Sequence, residues 1–208
     1  SIAGSKPRII ENYFEAAMSA RYSSILTMSS CAITRNAYEA LGGFVENEPY
    51  GEDTEFQARY AFRFPVACHP MVTAVYHREI AESAVGSCSR NGLRNAPLLI
   101  RRYSEWSQVD SDDPSRLESL RLYAAKLLYE TAVTQIGLGK GANAMSLLNH
   151  PLLRLSCLRK RATLAAWAAR SAVGPAARLY FRLSRSRLFH RSMVSNGISF
   201  RCVSRFGR

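Results

Sequence analysis

The chain has no acidic residue after Glu130. Residues 131–208 carry 14 Lys/Arg and no Asp or Glu, whereas residues 1–130 carry 14 basic against 16 acidic groups. The excess behind the net charge of +12 therefore belongs to the C-terminal part, which is expected to meet something anionic. No apolar run reaches the roughly 18–20 residues that span a bilayer. The five cysteines (Cys31, Cys68, Cys88, Cys157, Cys202) include no C-x-x-C pair, which argues against a zinc or dithiol redox site. Reduced, mostly buried thiols in a cytosolic protein are the expectation. There is no internal repeat and no low-complexity segment. The start, Ser-Ile-Ala-Gly, has neither an initiator Met nor an apolar signal core, and a piece of a longer protein is expected.

What is there suits a folded chain. With 208 residues, 47% apolar content and ten tyrosines, the length allows one domain plus an extension, or two small domains. After a Gly/Ser/Pro-containing lead-in over residues 1–8, the spacing of Ile9, Ile10, Tyr13, Phe14 and Ala17 predicts a helix over 9–21. Ile25–Ile33, a run of small and apolar residues, reads as a buried strand or a tight loop leading into one. Arg35–Leu41 reads as a short helix that Gly42 ends in a left-handed conformation. A second helical run opens at Glu52-Asp53, and Phe64–Pro70 and Met71–His77 read as two short strands. Residues 78–91 read as a loop or an irregular helix. Leu93–Trp106 reads as a helix interrupted or started at Pro97.

The sharpest boundary is Gln108–Pro114, where Asp113 suits an N-cap and Pro114 the first helical position. Leu117, Leu120, Ala124, Leu127, Leu128 and Thr131 fall on one face of the helix that follows. It ends in Gly137-x-Gly139-x-Gly141. This spacing follows a helix rather than a strand, so it reads as a turn and not a phosphate loop. A short helix over Ala142–His150, stopped by Pro151, makes a helical hairpin with its predecessor. Residues 152–173 and 176–191 are further helical patterns in which Arg alternates with Leu, Trp, Tyr and Phe. Residues 192–208 show no period.

Chemistry concentrates in Tyr50-Gly51-Glu52-Asp53. Carboxylates in the first turn of a helix face its free N–H groups and the positive end of its dipole, which favours their ionised form. An ionised carboxylate in a cleft can take a proton as a general base. A plain helix cap is the alternative.

Four features gain meaning from their order. Ser29-Ser30-Cys31-Ala32 leads to Arg35 and to Gly42-Gly43-Phe44. Gly51-Glu52-Asp53 opens a helix with Arg59 two turns in. A β-like run then closes on Tyr76-His77. In this order and spacing, residues 23–78 resemble the acceptor half of family 2 glycosyltransferases, inverting enzymes of the GT-A fold, and the resemblance weakens toward Trp106. It implies a partial α/β, GT-A-like (Rossmann-like) domain over residues 1–107, followed by a basic α-helical extension over 108–208. Asp53 matches the family's catalytic base and Glu52 its supporting acid. Ser29, Ser30, Arg35, Gly51 and Arg59 fall at acceptor-side positions. For Arg35 and Arg59, an ion pair within the fold is an equal reading. His77 matches a histidine that helps hold a divalent metal, Mg²⁺ or Mn²⁺, on the donor diphosphate. His69 and His150, flanked by prolines and without partner motifs, read as structural.

The sequence departs from the family in two ways. Met28-Ser29-Ser30 stands where many relatives have glycine. The family's donor half, with its Asp-x-Asp grip on metal and nucleotide sugar, has no counterpart, because no Asp precedes Asp53. The expectation is the C-terminal portion of a hexosyltransferase-like enzyme, inactive alone, or a remnant without catalysis. The implied partners are a nucleotide-sugar donor and a glycan or lipid-linked acceptor, in envelope polysaccharide or glycolipid synthesis. Residues 152–191 suit adsorption to the anionic cytoplasmic face of a membrane, or a packed helical appendage with solvated arginines. A non-catalytic module docking on membrane or partner is the rival function. Nucleic acid ranks last, since no nucleic-acid fold signature is present.

Overall fold

A computed structural model describes residues 6–19, 25–48, 50–69, 73–74, 97–106 and 113–154. Among them the architecture is mostly helical with one two-stranded sheet. The elements are β1 (Arg8–Ile10), α1 (Tyr13–Ser19), a 3₁₀ turn at Met28–Ser30, α2 (Arg35–Leu41), α3 (Glu52–Arg63) and β2 (Val66–Cys68). They continue with α4 (Leu98–Trp106), α5 (Pro114–Gly137), α6 (Gly141–Leu148) and α7 (Pro151–Arg154).

The helix expected over 9–21 is shorter than its apolar spacing suggests. Arg8–Ile10 is a strand, antiparallel to Val66–Cys68, with Ile9 opposite Ala67 and Ile10 opposite Val66. Two consecutive β-branched residues are content in an extended chain once a partner strand supplies the hydrogen bonds. The helix begins only after Asn12, whose side-chain oxygen accepts from the backbone N–H groups of Phe14 and Glu15. Nor does Ile25–Ile33 contain a strand. It holds the Met28–Ser30 turn, with Ser29 and Ser30 exposed. Of the two strands expected after α3, the first is β2. Thr73 and Ala74 have no regular structure, and the rest of the second, Tyr76 and His77 included, lies outside the described residues. So do residues 78–91, the helical patterns from 155 to 191, and residues 192–208.

The described residues form two compact units, one reaching through Tyr123 and the other starting at Ala124, with Pro97 joining the second. The first unit thus runs past the expected boundary at 107 and takes in the start of α5. Its hub is α3, against which α1, α2 and α4 pack. Phe14, Phe56, Leu99, Leu120 and Tyr123 are fully buried there, and the Phe14 and Tyr123 rings lie 5.8 Å apart. Each such side chain removed from water contributes roughly 1.5–3 kcal/mol.

Local chemistry explains where α5 starts and stops. Asp113 caps α5, its Oδ1 accepting from the N–H groups of Ser115 and Arg116. The helix ends as the glycine trio implies: Gly139 is left-handed (φ 74°) and the Lys140 N–H turns back to the Gln135 carbonyl. The face expected for α5 is buried from Leu120 to Thr131, and in its middle burial extends beyond that face. From Tyr123 to Leu128 every residue is buried, Lys126 included, whose ammonium lies 3.4 Å from Glu130. Pro151 does not merely stop α6. It opens α7, capped by His150, whose Nδ1 accepts from the Leu152 N–H.

Candidate active site

The acid pair stands at the start of α3. Gly51 is the N-cap, left-handed at φ 88°, and has no side chain with which to cap. Glu52 and Asp53 are therefore the first two helical residues, both half-exposed, with Glu55 one turn in. Asp53 Oδ1 accepts from the Thr54 N–H at 2.6 Å and the Thr54 hydroxyl at 3.2 Å. The capping role open to Asp53 is thus fulfilled in part, at its own neighbour. Among the described residues neither Glu52 nor Asp53 has a cationic partner. Their charge faces the helix dipole and solvent.

The buried face of α3 ties this start to the Gly-Gly-Phe turn. Glu55 is fully buried and Arg59 only 6% exposed. Arg59 Nε and Nη2 reach the two Glu55 oxygens at 3.0 and 2.8 Å. The same guanidinium donates to the carbonyls of Leu41 and Gly43, the latter at 2.8 Å. It also lies 5.4 Å from the centre of the Phe56 ring. The internal ion pair, one of the two readings of Arg59, is what the structure holds, and its donors are occupied within the protein. Arg102 of α4 adds a second cation, 3.6 Å from Glu55.

Arg35 stands apart, its side chain 87% exposed and 4.0 Å from Glu39 on the same helix. Such a pair contributes little. Ser29 and Ser30 lie in the 3₁₀ turn, where the Ser30 hydroxyl donates to the Thr27 carbonyl at 3.0 Å. That turn leans on α3 through Gln57, whose amide donates to Met28 Sδ at 3.3 Å. Beside it, Cys31 Sγ donates to the Thr27 carbonyl, and burial pushes its thiol pKa up. Cys31 and Cys68 are both free. The structure thus gathers the Ser29–Ser30 turn, the Gly42–Phe44 turn and the acid pair around one helix, and leaves Arg35 outside.

Two contributors escaped the sequence reading. Glu48, midway along the loop from Phe44 to Gly51, pairs with Arg101 of α4 at 2.7 and 3.0 Å, and the hydrogen bond from Arg101 holds its carboxyl below the usual range. The second is Tyr38. Its ring packs with Phe44 and Phe56, at centroid distances of 6.0 and 5.7 Å, while Phe44 and Phe56 stack at 4.5 Å. The i,i+4 spacing of Glu55 and Arg59 was the available clue to the buried pair; nothing local marks Glu48 or Tyr38.

Among the described residues no three His, Cys, Asp or Glu side chains converge to hold a metal, and His77 lies outside them. Comparison with family models, with curated proteins and with solved structures returned no match.

Proposed function

We propose that this chain is the acceptor-side part of an inverting glycosyltransferase of the GT-A kind, with Asp53 as its general base. The observation that supports the reading most is the joining of its two motif halves: Arg59 and the Phe44–Phe56 stack hold Gly42-Gly43-Phe44 against the helix that Gly51-Glu52-Asp53 begins. A base must be held rigidly while remaining open to its substrate. Asp53 meets both conditions, on the first turn of a packed helix and half-exposed.

In the proposed step, Asp53 takes the proton of an acceptor hydroxyl as that oxygen attacks the anomeric carbon of a nucleotide sugar. The bond to the nucleoside diphosphate breaks with its electron pair, and one displacement inverts the centre. Glu52 supports the negative site electrostatically. No step is assigned to the divalent ion that the resemblance implies, since the described residues do not assemble a ligand set for it.

The test is nucleotide-sugar turnover by the protein as its cell makes it, with and without Asp53→Asn. The expected loss is on the order of 10²–10⁴-fold, with far-UV dichroism unchanged. An unchanged rate rejects Asp53 as the base, and no turnover by the unaltered protein rejects the transferase reading.

The acid-free composition of residues 131–208 supports a second element of the proposal. The basic residues of 152–191 hold the enzyme at an anionic leaflet, at the cytoplasmic face, each adding on the order of 1 kcal/mol near the surface. Co-sedimentation with anionic but not zwitterionic vesicles, lost at high salt, is the expected result. Equal partition to both rejects this anchoring.

A further inference from the structure

The glycine trio Gly137-x-Gly139-x-Gly141 follows a helix, which excludes the strand-borne phosphate loop. What comes after the trio is the N-terminus of α6, eight residues long, with Gly141 as its first residue. The side chain of its N-cap, Lys140, makes no capping hydrogen bond, and the first turn holds no acidic residue. The first intrahelical bond runs from the Ala144 N–H to the Lys140 carbonyl at 3.1 Å, so the N–H groups of Gly141, Ala142 and Asn143 have no partner within the helix. A lysine as N-cap also sets a cation at the positive end of the dipole, where a hydroxyl or carboxylate is favoured.

An independent observation lies beside this helix start. Gln135, in the last turn of α5, is fully buried, and its Nε2 is the one buried side-chain nitrogen or oxygen without a hydrogen-bond partner among the described residues. Gln135 is tied to the start of α6 twice. Its carbonyl accepts from the Lys140 N–H at 2.9 Å, and its Oε1 accepts from Asn143 Nδ2 at 3.5 Å. The orphaned amide therefore stands at the first turn of α6. A buried donor left unpaired is costly, and an acceptor that enters there removes the cost. Entry requires a side chain to give way. Asn143, half-exposed and bonded at the long limit of a hydrogen bond, is the one placed to do so.

These groups are donors, so they call for an acceptor, and the dipole calls for a negative one. A carboxylate offers two coplanar oxygens. The tetrahedral oxygens of a phosphate can accept from helix N–H groups and from an amide to one side of them together.

We infer that the start of α6, with Gln135 Nε2 as its buried donor, is a binding site for a phosphate group, whether on a lipid headgroup or free in solution. The site goes beyond the transferase reading and does not depend on it.

The test is amide NMR of the full chain titrated with potassium phosphate, with potassium acetate at equal ionic strength as the control. The backbone N–H groups of Gly141, Ala142 and Asn143 and the Gln135 side-chain amide are expected to shift and saturate together in phosphate, and to move little in acetate. Gln135→Leu, which keeps bulk but removes the donor, is expected to weaken binding about tenfold. No shift at these groups in tens of millimolar phosphate overturns the site, and so does an equal response to acetate. Unaltered affinity in Gln135→Leu, with a native amide spectrum, does the same. If that variant unfolds, the unaltered protein decides: phosphate binding that leaves the Gln135 side-chain resonances unmoved rejects the site. Soluble dihexanoyl phosphatidic acid separates the sources. Tighter binding than inorganic phosphate assigns the site to a lipid headgroup, and equal or weaker binding assigns it to free phosphate.

Discussion

Arg59 Nη2 lies 2.8 Å from the carbonyl oxygen of Gly43, sixteen residues back along the chain, and this contact joins two sequence motifs into one object. The carbonyl of Leu41 is one that a helix end leaves without an intrahelical partner, and that of Gly43 belongs to the turn just beyond it. A buried guanidinium supplies donors there, and Glu55 neutralises it.

Breaking that pair from one side is expected to be severe. Glu55→Leu leaves Arg59 buried with its charge uncompensated, while Arg102, less deeply placed, keeps Glu105 at 2.8 Å. A loss of about 3–5 kcal/mol is expected in urea unfolding. The double variant Glu55→Leu/Arg59→Met recovers a large part of it, because no lone charge remains. Equal losses in the single and double variants would show that the pair acts through its carbonyl contacts instead.

Gly42 and Gly43 are both left-handed, at φ 74° and 72°, but only the second lies under another side chain. Gly42→Ala meets open space and carries the left-handed penalty alone, roughly 1–2 kcal/mol. Gly43→Ala carries the same penalty plus the displacement of Tyr38. Thermal melts of both variants, repeated in a Tyr38→Leu background, separate the terms: the excess of Gly43→Ala over Gly42→Ala disappears once the phenol is gone.

At the acid pair, stability and activity are expected to part. Asp53→Asn keeps an oxygen for the Thr54 N–H and loses only a charge near the helix dipole, about 0.3–1 kcal/mol in chemical unfolding. Sugar transfer by the same variant falls by orders of magnitude. A variant that loses both together points to a cap, not a base.

Two groups give the fold a pH dependence of one sign. Asp113 sits below its ordinary value of 3.8 because the Ser115 hydroxyl and the N–H groups at the helix start hydrogen-bond to its carboxylate. Its contribution is present above pH 3.8 and is lost as pH falls through the lowered folded value. His150 sits below its ordinary 6.5 because burial disfavours the imidazolium. The unfolded chain therefore takes up its proton first, and stability declines as pH falls from about 6.5 toward the folded value. NMR titration of the His150 ring protons should give a midpoint below 6.5. Asp113→Asn should flatten the acid limb of the unfolding profile.

Much of the local structure needed no tertiary knowledge. Gly42 ends α2 because a left-handed C-cap suits glycine, and Gly51 precedes α3 for a related reason. Asp113-Pro114 starts α5 because a carboxylate can cap there and proline needs no N–H. Such signals act within a few residues, so they are readable one after another along the chain. The fate of Ile9-Ile10 was not. The same two residues fit a helical face and an extended strand, and Val66–Cys68, far along the chain, decided for the strand. Asn12 was a legible cap that the apolar period of Ile9–Ala17 obscured.

The candidate site divides the same way. The sequence by itself determined that Glu52 and Asp53 open a helix, because Gly51, the acids and the helical run behind them are neighbours in the chain. Only the tertiary structure decided that Arg59 faces inward to Glu55 and the Gly43 carbonyl, that Glu48 is pinned by Arg101, and that Tyr38 stays partly exposed over Gly43. A side chain's periodicity says which face it lies on. What waits on that face depends on long-range packing, and for an arginine it is the difference between a ligand contact and a buried strut.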